Sequence, residues 1–363
     1  MAKEKKSALK VNKGVEKPPA VNREAARRFK SRKSNLMPDS YYTEGIVNGN
    51  RTILAKAITL IESALPEHRQ KASNILAACL PRSGNSVRIG ITGVPGAGKS
   101  TFIEAFGKHL TSLGHKVAIL AIDPSSSRSK GSILGDKTRM ESLSADPNAF
   151  IRPSPSSGSL GGVARKTFET IIVCEAAGYD VILIETVGVG QSETEARSMV
   201  DFFLLLMLAG AGDELQGIKR GIIEMSDAII INKADGDNIA AAARAVAEYK
   251  NALHLFPAPP SGWTPQAGKC SALTGDGITE IWNMIEDYVS LTKTNGYFDN
   301  NRIAQQVLRF RKSVEEAVLN KFFENKNVKQ KLQTLEEEIE NKKINVYSAA
   351  DEILKEFSAN LPD

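Results

Sequence analysis

The sequence is poor in the residues that build covalent or metal frameworks. Only three cysteines occur in 363 residues, Cys79, Cys174 and Cys270, far apart and in apolar segments. That excludes a disulfide framework and a C-x-x-C site, and it predicts three buried thiols in a reducing, cytoplasmic setting. Only four histidines occur, His68, His109, His115 and His254. None stands at ligand spacing from a cysteine or a second histidine, which excludes a Cys/His metal cluster. The longest apolar run, residues 202–211, is about ten residues, against roughly twenty for a membrane-spanning helix. A membrane span is therefore not expected.

Charge of one sign is scarce everywhere except at the start. The formal net charge is +5, but residues 1–35 alone hold twelve Lys/Arg against three Glu, so the remainder is slightly acidic. The pI is therefore not a nucleic-acid signal, and residues 1–38 read as a disordered, solvated basic tail rather than a transit peptide. Apolar and charged fractions of 42% and 25% are those of a chain that buries an ordinary core.

What is present is a strand–loop–helix signature. Gly93-Val-Pro-Gly-Ala-Gly-Lys-Ser100 is G-x-x-x-x-G-K-S, the phosphate-binding loop of nucleoside triphosphatases. An apolar strand at 87–91 leads in and a helix at 101–113 leads out. Gly93, Gly96 and Gly98 keep the turn bare, so the backbone from Val94, Pro95 and Ala97 through Thr101 can wrap a polyphosphate with N–H groups pointing inward. Lys99 is placed to reach the β- and γ-phosphates and Ser100 to hold Mg2+ through its hydroxyl.

Strands at 87–91, 116–122, 180–185, 202–208, 228–232 and 268–271 alternate with helical patterns at 101–113, 162–177 and 238–253. This predicts an α/β fold: a P-loop NTPase with a doubly wound, mostly parallel sheet and ligands at the strands' carboxyl ends. Residues 39–84 read as an N-terminal helical extension, with helices at 40–65 and 67–80. Residues 85–293 read as the P-loop domain. Residues 294–363 read as three further helices, either a cap or an oligomerisation arm.

The base-reading motifs narrow the nucleotide. Asn232-Lys233-Ala-Asp235 is N-K-x-D, whose Asp carboxylate accepts two hydrogen bonds from guanine. Adenine presents the opposite pattern and would leave a buried charge unpaired. Asn232 braces the loop, and the Lys233 stem can cover the base. Ser271-Ala272-Leu273, about forty residues on, can turn backbone N–H groups toward guanine O6. Together they predict GTP and GDP as ligands. Glu185-Thr-Val-Gly188 ends a strand, where a carboxylate holds the magnesium shell and a glycine N–H meets the γ-phosphate. Asp123 and Asp136 are further candidates for that shell, directly or through water. Residues 210–219 read as a moving loop after the most apolar strand. Gln191 lies nearby in sequence, and no catalytic base is assigned.

Several stretches together resemble the MeaB/ArgK/MMAA GTPases. They are Gly93–Thr101, Ala121-Ile-Asp-Pro-Ser-Ser126, Gly131-Ser-Ile-Leu-Gly-Asp-Lys-Thr-Arg-Met140, Ile151-Arg-Pro-Ser-Pro-Ser-Ser-Gly158, Glu185-Thr-Val-Gly-Val-Gly-Gln-Ser192 and Gly212-Asp-Glu-Leu-Gln-Gly-Ile-Lys219. The resemblance covers about residues 53–289, more loosely the C-terminal helices. It implies a SIMIBI-class GTPase, a homodimer built with those helices, and an adenosylcobalamin-dependent acyl-CoA mutase as partner. It further implies that GTP turnover gates cofactor loading and protects or reactivates the mutase, methylmalonyl-CoA mutase being the foremost candidate. Lys99, Glu185 and Lys219 match working positions of that family, Lys219 in a third switch loop. Ser100, Asp123, Asp136 and Glu185 match its magnesium site, and Asp235 its guanine reader. Two other readings are a kinase or ATPase of basic amino-acid transport, opposed by N-K-A-D, and a metallochaperone GTPase, opposed by the missing Cys/His cluster.

Overall fold

The computed structural model describes residues 36–122, 140–153, 160–186, 191–210 and 220–359. It opens with α1 (Asp39–Val47), α2 (Arg51–Glu62) and α3 (Pro66–Cys79). The spacing over 40–65 predicts one helix, but Asn48-Gly-Asn50 divides it. Gly49 adopts φ +69°, and the Asn50 side chain accepts from the Thr52 and Ile53 amides to cap α2. Pro66 stands in the first turn of α3, where its missing N–H costs nothing.

The chain then alternates strand and helix. In order come β1 (Val87–Gly93), α4 (Lys99–Ser112), β2 (Val117–Ile122), α5 (Glu141–Ser144), β3 (Ala149–Arg152), α6 (Leu160–Ala176) and β4 (Val181–Thr186). After them come α7 (Gln191–Arg197), β5 (Phe202–Leu208), α8 (Arg220–Met225), β6 (Ala228–Asn232), α9 (Ile239–Leu253), β7 (Gln266–Lys269) and α10 (Ile278–Thr294). Seven strands form one sheet in the order β3-β2-β4-β1-β5-β6-β7. Every neighbouring pair is parallel. The strand β3 is an addition to the expected set. It has four residues, ends at Pro153, and lies at the sheet edge, where a short strand leaves little trace in the sequence. The last strand is found two residues earlier than the spacing suggests.

Both faces of the sheet are covered, which is why its strands are apolar throughout. On one face Phe102 and Phe106 of α4, Tyr249 of α9 and Ile281 of α10 pack on Ile89, Ile91 and Leu183. On the other, Ile46, Leu54, Ile58 and Ile75 of α1–α3 join Ile171 and Cys174 of α6 against Ile182 and Ile184. The N-terminal helices thus complete one face of the core.

Three helices follow the sheet: α11 (Tyr297–Glu324), α12 (Lys326–Glu340) and α13 (Val346–Ala359). The root of α11 is bound to the sheet by Arg302. Its guanidinium donates to both Asp201 carboxylate oxygens, to the Ser86 carbonyl at 2.5 Å and to the Gly84 carbonyl. The tip has its own small core, Val328, Leu335, Ala349 and Ile353. Between root and tip, Val307, Phe310, Val314 and Val318 lie exposed, Phe310 at 69%. Among the described residues no helix is long and apolar enough to cross a membrane.

Candidate functional site

The phosphate loop leaves the carboxyl end of β1, the middle strand of the seven. The local sequence leaves few alternatives there. Gly93 pairs with Leu206 of β5, and a Cβ on it would stand 2.4 Å from the Leu206 carbonyl oxygen. Gly96 and Gly98 take φ +79° and +83°, the left-handed region that other residues resist. Val94 and Ala97 point down into the core, so the loop is nailed at two points while its backbone faces out. Gly98 caps α4, whose N-terminal dipole therefore lies at the phosphate end.

Lys99 is half-buried and donates to the loop's own Gly93 carbonyl at 2.8 Å. Burial pulls its ammonium below the usual lysine range, while Glu185 and Glu193 act the other way. Ser100 Oγ donates to Glu185 Oε1 at 3.3 Å, joining the first turn of α4 to β4. One residue on, Thr186 Oγ1 donates to Thr92 Oγ1 at 2.9 Å, linking the ends of β4 and β1.

The base-reading loops are tied to this loop by side chains. Asn232, at the end of β6, donates through Nδ2 to the Ala97 carbonyl at 2.8 Å. Its Oδ1 accepts from the Ala272 amide at 3.2 Å and from the Cys270 thiol at 3.4 Å. Those three contacts fix the amide's orientation, because only one arrangement matches donors to acceptors. Lys233 adopts φ +57°, unusual for a side-chain-bearing residue, and its stem runs over Gly98: a Cβ there would lie 3.7 Å from Lys233 Cε. Asp235 Oδ2 accepts from Ser271 Oγ at 2.5 Å, which fixes the carboxylate. Leu273 is 82% exposed, at the lip of the loop.

The sequence-predicted residues thus come together in part. Gly93 to Thr101, Glu185, Asn232, Lys233, Asp235 and Ser271 to Leu273 gather at the carboxyl ends of β1, β4, β6 and β7. Asp123, Asp136, Gly188 and Lys219 lie outside the described residues, as does the side chain of Gln191. Two contributors went unremarked in the sequence. Glu193, fully buried on α7, acts on Lys99, yet in a Gln-Ser-Glu-Thr-Glu helix start it reads as an exposed first-turn acid. Cys270 reads as core filler, and its place immediately before Ser271 is the signal that it borders the base loop.

The site fits a nucleotide and a hard cation. A left-handed glycine cradle at a helix N-terminus suits a polyphosphate. A hydroxyl and a carboxylate in mutual contact at its edge are oxygen donors of the kind Mg2+ takes. A sheet with that cradle on its central strand and an N-K-x-D loop tied to it defines a P-loop GTPase. The chain belongs to the MeaB family, described as methylmalonyl Co-A mutase-associated GTPase, whose profile matches residues 54–327. It is 52% identical over 272 residues to GTPase ArgK of Escherichia coli, covering 75% of this chain and 82% of that one. It is 45% identical over 339 residues to the mouse mitochondrial methylmalonic aciduria type A homolog, covering 91% and 81%. Among solved structures, one described as LAO/AO transport system kinase superposes with a TM-score of 0.70 at 38% identity, covering 89% of this chain and all of that one.

Proposed function

We propose that this GTPase is the nucleotide-driven chaperone of an adenosylcobalamin-dependent acyl-CoA mutase, methylmalonyl-CoA mutase being the foremost candidate. It gates cofactor loading and protects or reactivates the mutase. The observation that carries this reading is the family match across residues 54–327, which spans the whole nucleotide site. In this reading Asp235 reads guanine while Asn232 holds the base loop against the phosphate loop. Backbone N–H groups from Gly96 to Thr101 and the Lys99 ammonium bear on the phosphate oxygens. Ser100 and Glu185, with Asp123 and Asp136, would hold Mg2+, which supplies neutralising charge at those oxygens. Lys219 belongs to the loop that reports nucleotide state to the mutase.

The same reading divides the chain into a basic tail (1–38), a helical extension (39–84), the GTPase unit (85–293) and a C-terminal arm (294–363). The exposed apolar stripe of α11 is assigned to a second copy of the chain, making a homodimer. Turnover without the mutase is slow and rises when the partner completes the site. The test is to mix the purified protein with the mutase. A raised GTP hydrolysis rate and nucleotide-dependent co-purification are expected, and unchanged hydrolysis would sink the coupling.

A transport kinase would prefer ATP. The Asp235–Ser271 contact favours guanine, because a carboxylate held there accepts from guanine and repels the adenine edge. Competition showing ATP preferred over GTP would restore that alternative.

A further inference from the structure

Helix α7 starts five residues after Thr186, the last residue of β4, and is the first element downstream of the strand that carries Glu185. Its Glu193 is fully buried and acts on Lys99 in the phosphate loop. Two residues further along, Glu195 turns the other way. Its Oε1 accepts from Lys312 Nζ of α11 at 2.6 Å, and this pair is largely screened from water, the side chains being 16% and 32% exposed. One short helix thus follows the strand that holds Glu185 against Ser100 and reaches the C-terminal arm with Glu195.

The contact between α7 and α11 is under-satisfied, unlike the root of the arm. At the root, Arg302 uses its donors on Asp201, Ser86 and Gly84, and Gln305 Nε2 donates to the Val200 carbonyl at 2.7 Å. Two turns further along α11 the pattern changes. Arg309 stands one turn before Lys312 on the same face, with its side chain 14% exposed. Its nearest carboxylate is Glu316 of its own helix, at 3.8 Å, and its buried Nη2 has no hydrogen-bond partner among the described residues. Glu195 Oε2 is also buried without a partner there. The other charges facing this spot are Arg165 and Glu169 of α6, which pair with each other at 2.8 Å. Burial draws the Arg309 guanidinium below its ordinary value, and Glu316, Glu169 and Glu195 oppose that. An unpartnered buried donor and an unpartnered buried acceptor of opposite charge, on two facing helices, mark an arrangement with a second pairing within reach.

We propose that Glu195 is a positioning residue that exchanges partners between Lys312 and Arg309, so that the register of α7 against the arm and the state of the nucleotide site are set together. The exchange is a slide of about one helical turn, the spacing of two neighbouring side chains on one helix face. It gives α11, the helix assigned to the second copy, a link to the nucleotide site through α7 and the end of β4, where Glu185 meets Ser100, that bypasses the base loop. The inference rests on GTP turnover by the chain itself and needs no mutase.

The two pairings compete, which makes the test one of sign. Affinities for GDP and for a non-hydrolysable GTP analogue are measured by calorimetry on the full chain and on variants, with thermal unfolding alongside. Lys312→Met removes one pairing and Arg309→Met the other. Their ratios of analogue to GDP affinity are expected to move in opposite directions, each by roughly three- to tenfold. Lys312→Arg keeps the charge and is expected to restore the parent ratio. In a Glu195→Gln background, neither second substitution should shift the ratio further. Shifts in the same direction, or ratios within twofold of the parent in folded variants, overturn the proposal. Should Arg309→Met unfold, Arg309→Gln and the Glu195→Gln background decide the question alone. If the parent chain bound neither nucleotide, the GTPase assignment would fall instead, so the two failures are separable.

Discussion

Asn232 reaches from the end of β6 to the Ala97 carbonyl at the end of β1, 2.8 Å away, so the loop that reads the base and the loop that wraps the phosphates share one hydrogen bond. The N-K-x-D loop and the phosphate cradle are thereby joined through a residue that is itself 1% exposed. In the proposed reading, guanine seated against Asp235 would hold the same loop that carries Asn232.

Asp235→Asn replaces an acceptor-only carboxylate with an amide that presents a donor to the guanine edge. GTP affinity should fall by roughly a hundredfold, and xanthosine triphosphate should become the preferred ligand. Competition binding with the two nucleotides checks this. An unaltered GTP preference would remove Asp235 from the base pocket.

Gly93→Ala puts a methyl 2.4 Å from the Leu206 carbonyl oxygen, between two central strands. Backbone on both sides has nowhere to go. A loss of about 1–3 kcal/mol in unfolding free energy is expected, measured by urea titration, with weaker nucleotide binding because the cradle starts at this residue.

Arg302→Met leaves the Asp201 carboxylate, 1% exposed, without its main counter-charge. Loss of one member of a buried pair costs about 3–5 kcal/mol. Arg302→Lys should recover only part of it, because an ammonium cannot serve Asp201, Ser86 and Gly84 together. Denaturant midpoints of the two variants test the order.

Acid should weaken the contact between α4 and the turn before β3. Asp146 accepts from the Asn148 amide at 3.0 Å, Lys108 at 3.0 Å and Thr111 at 2.8 Å, and these bonds, the Asn148 amide first, hold its carboxyl below the ordinary carboxylate value. The folded chain therefore takes up this proton less readily than the unfolded chain. The stabilisation is present above the unfolded value, about pH 4, and is lost as pH falls through the lower folded value. Asp146→Asn should lower the melting temperature at pH 7 and lower it by less as pH falls below about 4. An equal deficit in both ranges would contradict the assignment.

Phe310→Glu on the exposed stripe of α11 should turn a dimer into a monomer without loss of GTP binding. Light scattering gives the mass, and a parent that is already monomeric would remove the stripe's assigned occupant.

The gathering of the candidate site at one end of the sheet was largely legible because its motifs are carried by residue identity at fixed spacing. Gly96, Gly98, Lys99 and Asn232 occupy positions where few other residues work, so the letters themselves are the signal. What was not legible depends on who faces whom across the chain. Glu193 looks like any acid at a helix start, and only the fold buries it. The break at Asn48-Gly-Asn50 is hidden because the apolar stripe resumes in phase on α2, so periodicity runs through it. The strand β3 is too short to show alternation. Arg302 and Asp201 are 101 residues apart, and no local pattern joins an arginine in a charged helix to an aspartate before an apolar strand.

That last pairing bears on where the molecule can be cut. Composition puts a seam near residue 294, as though the C-terminal helices were a detachable module. The guanidinium of Arg302, eight residues past that seam, instead staples the entry of β1 to the entry of β5, at the end of the sheet remote from the phosphate cradle. A chain severed at the seam would keep every residue of the candidate site and still lose the rivet that holds two central strands in line. The smallest stretch that keeps the rivet therefore runs past the GTPase unit into α11, and shuffling of this arm between relatives would have to leave the first turns of that helix behind.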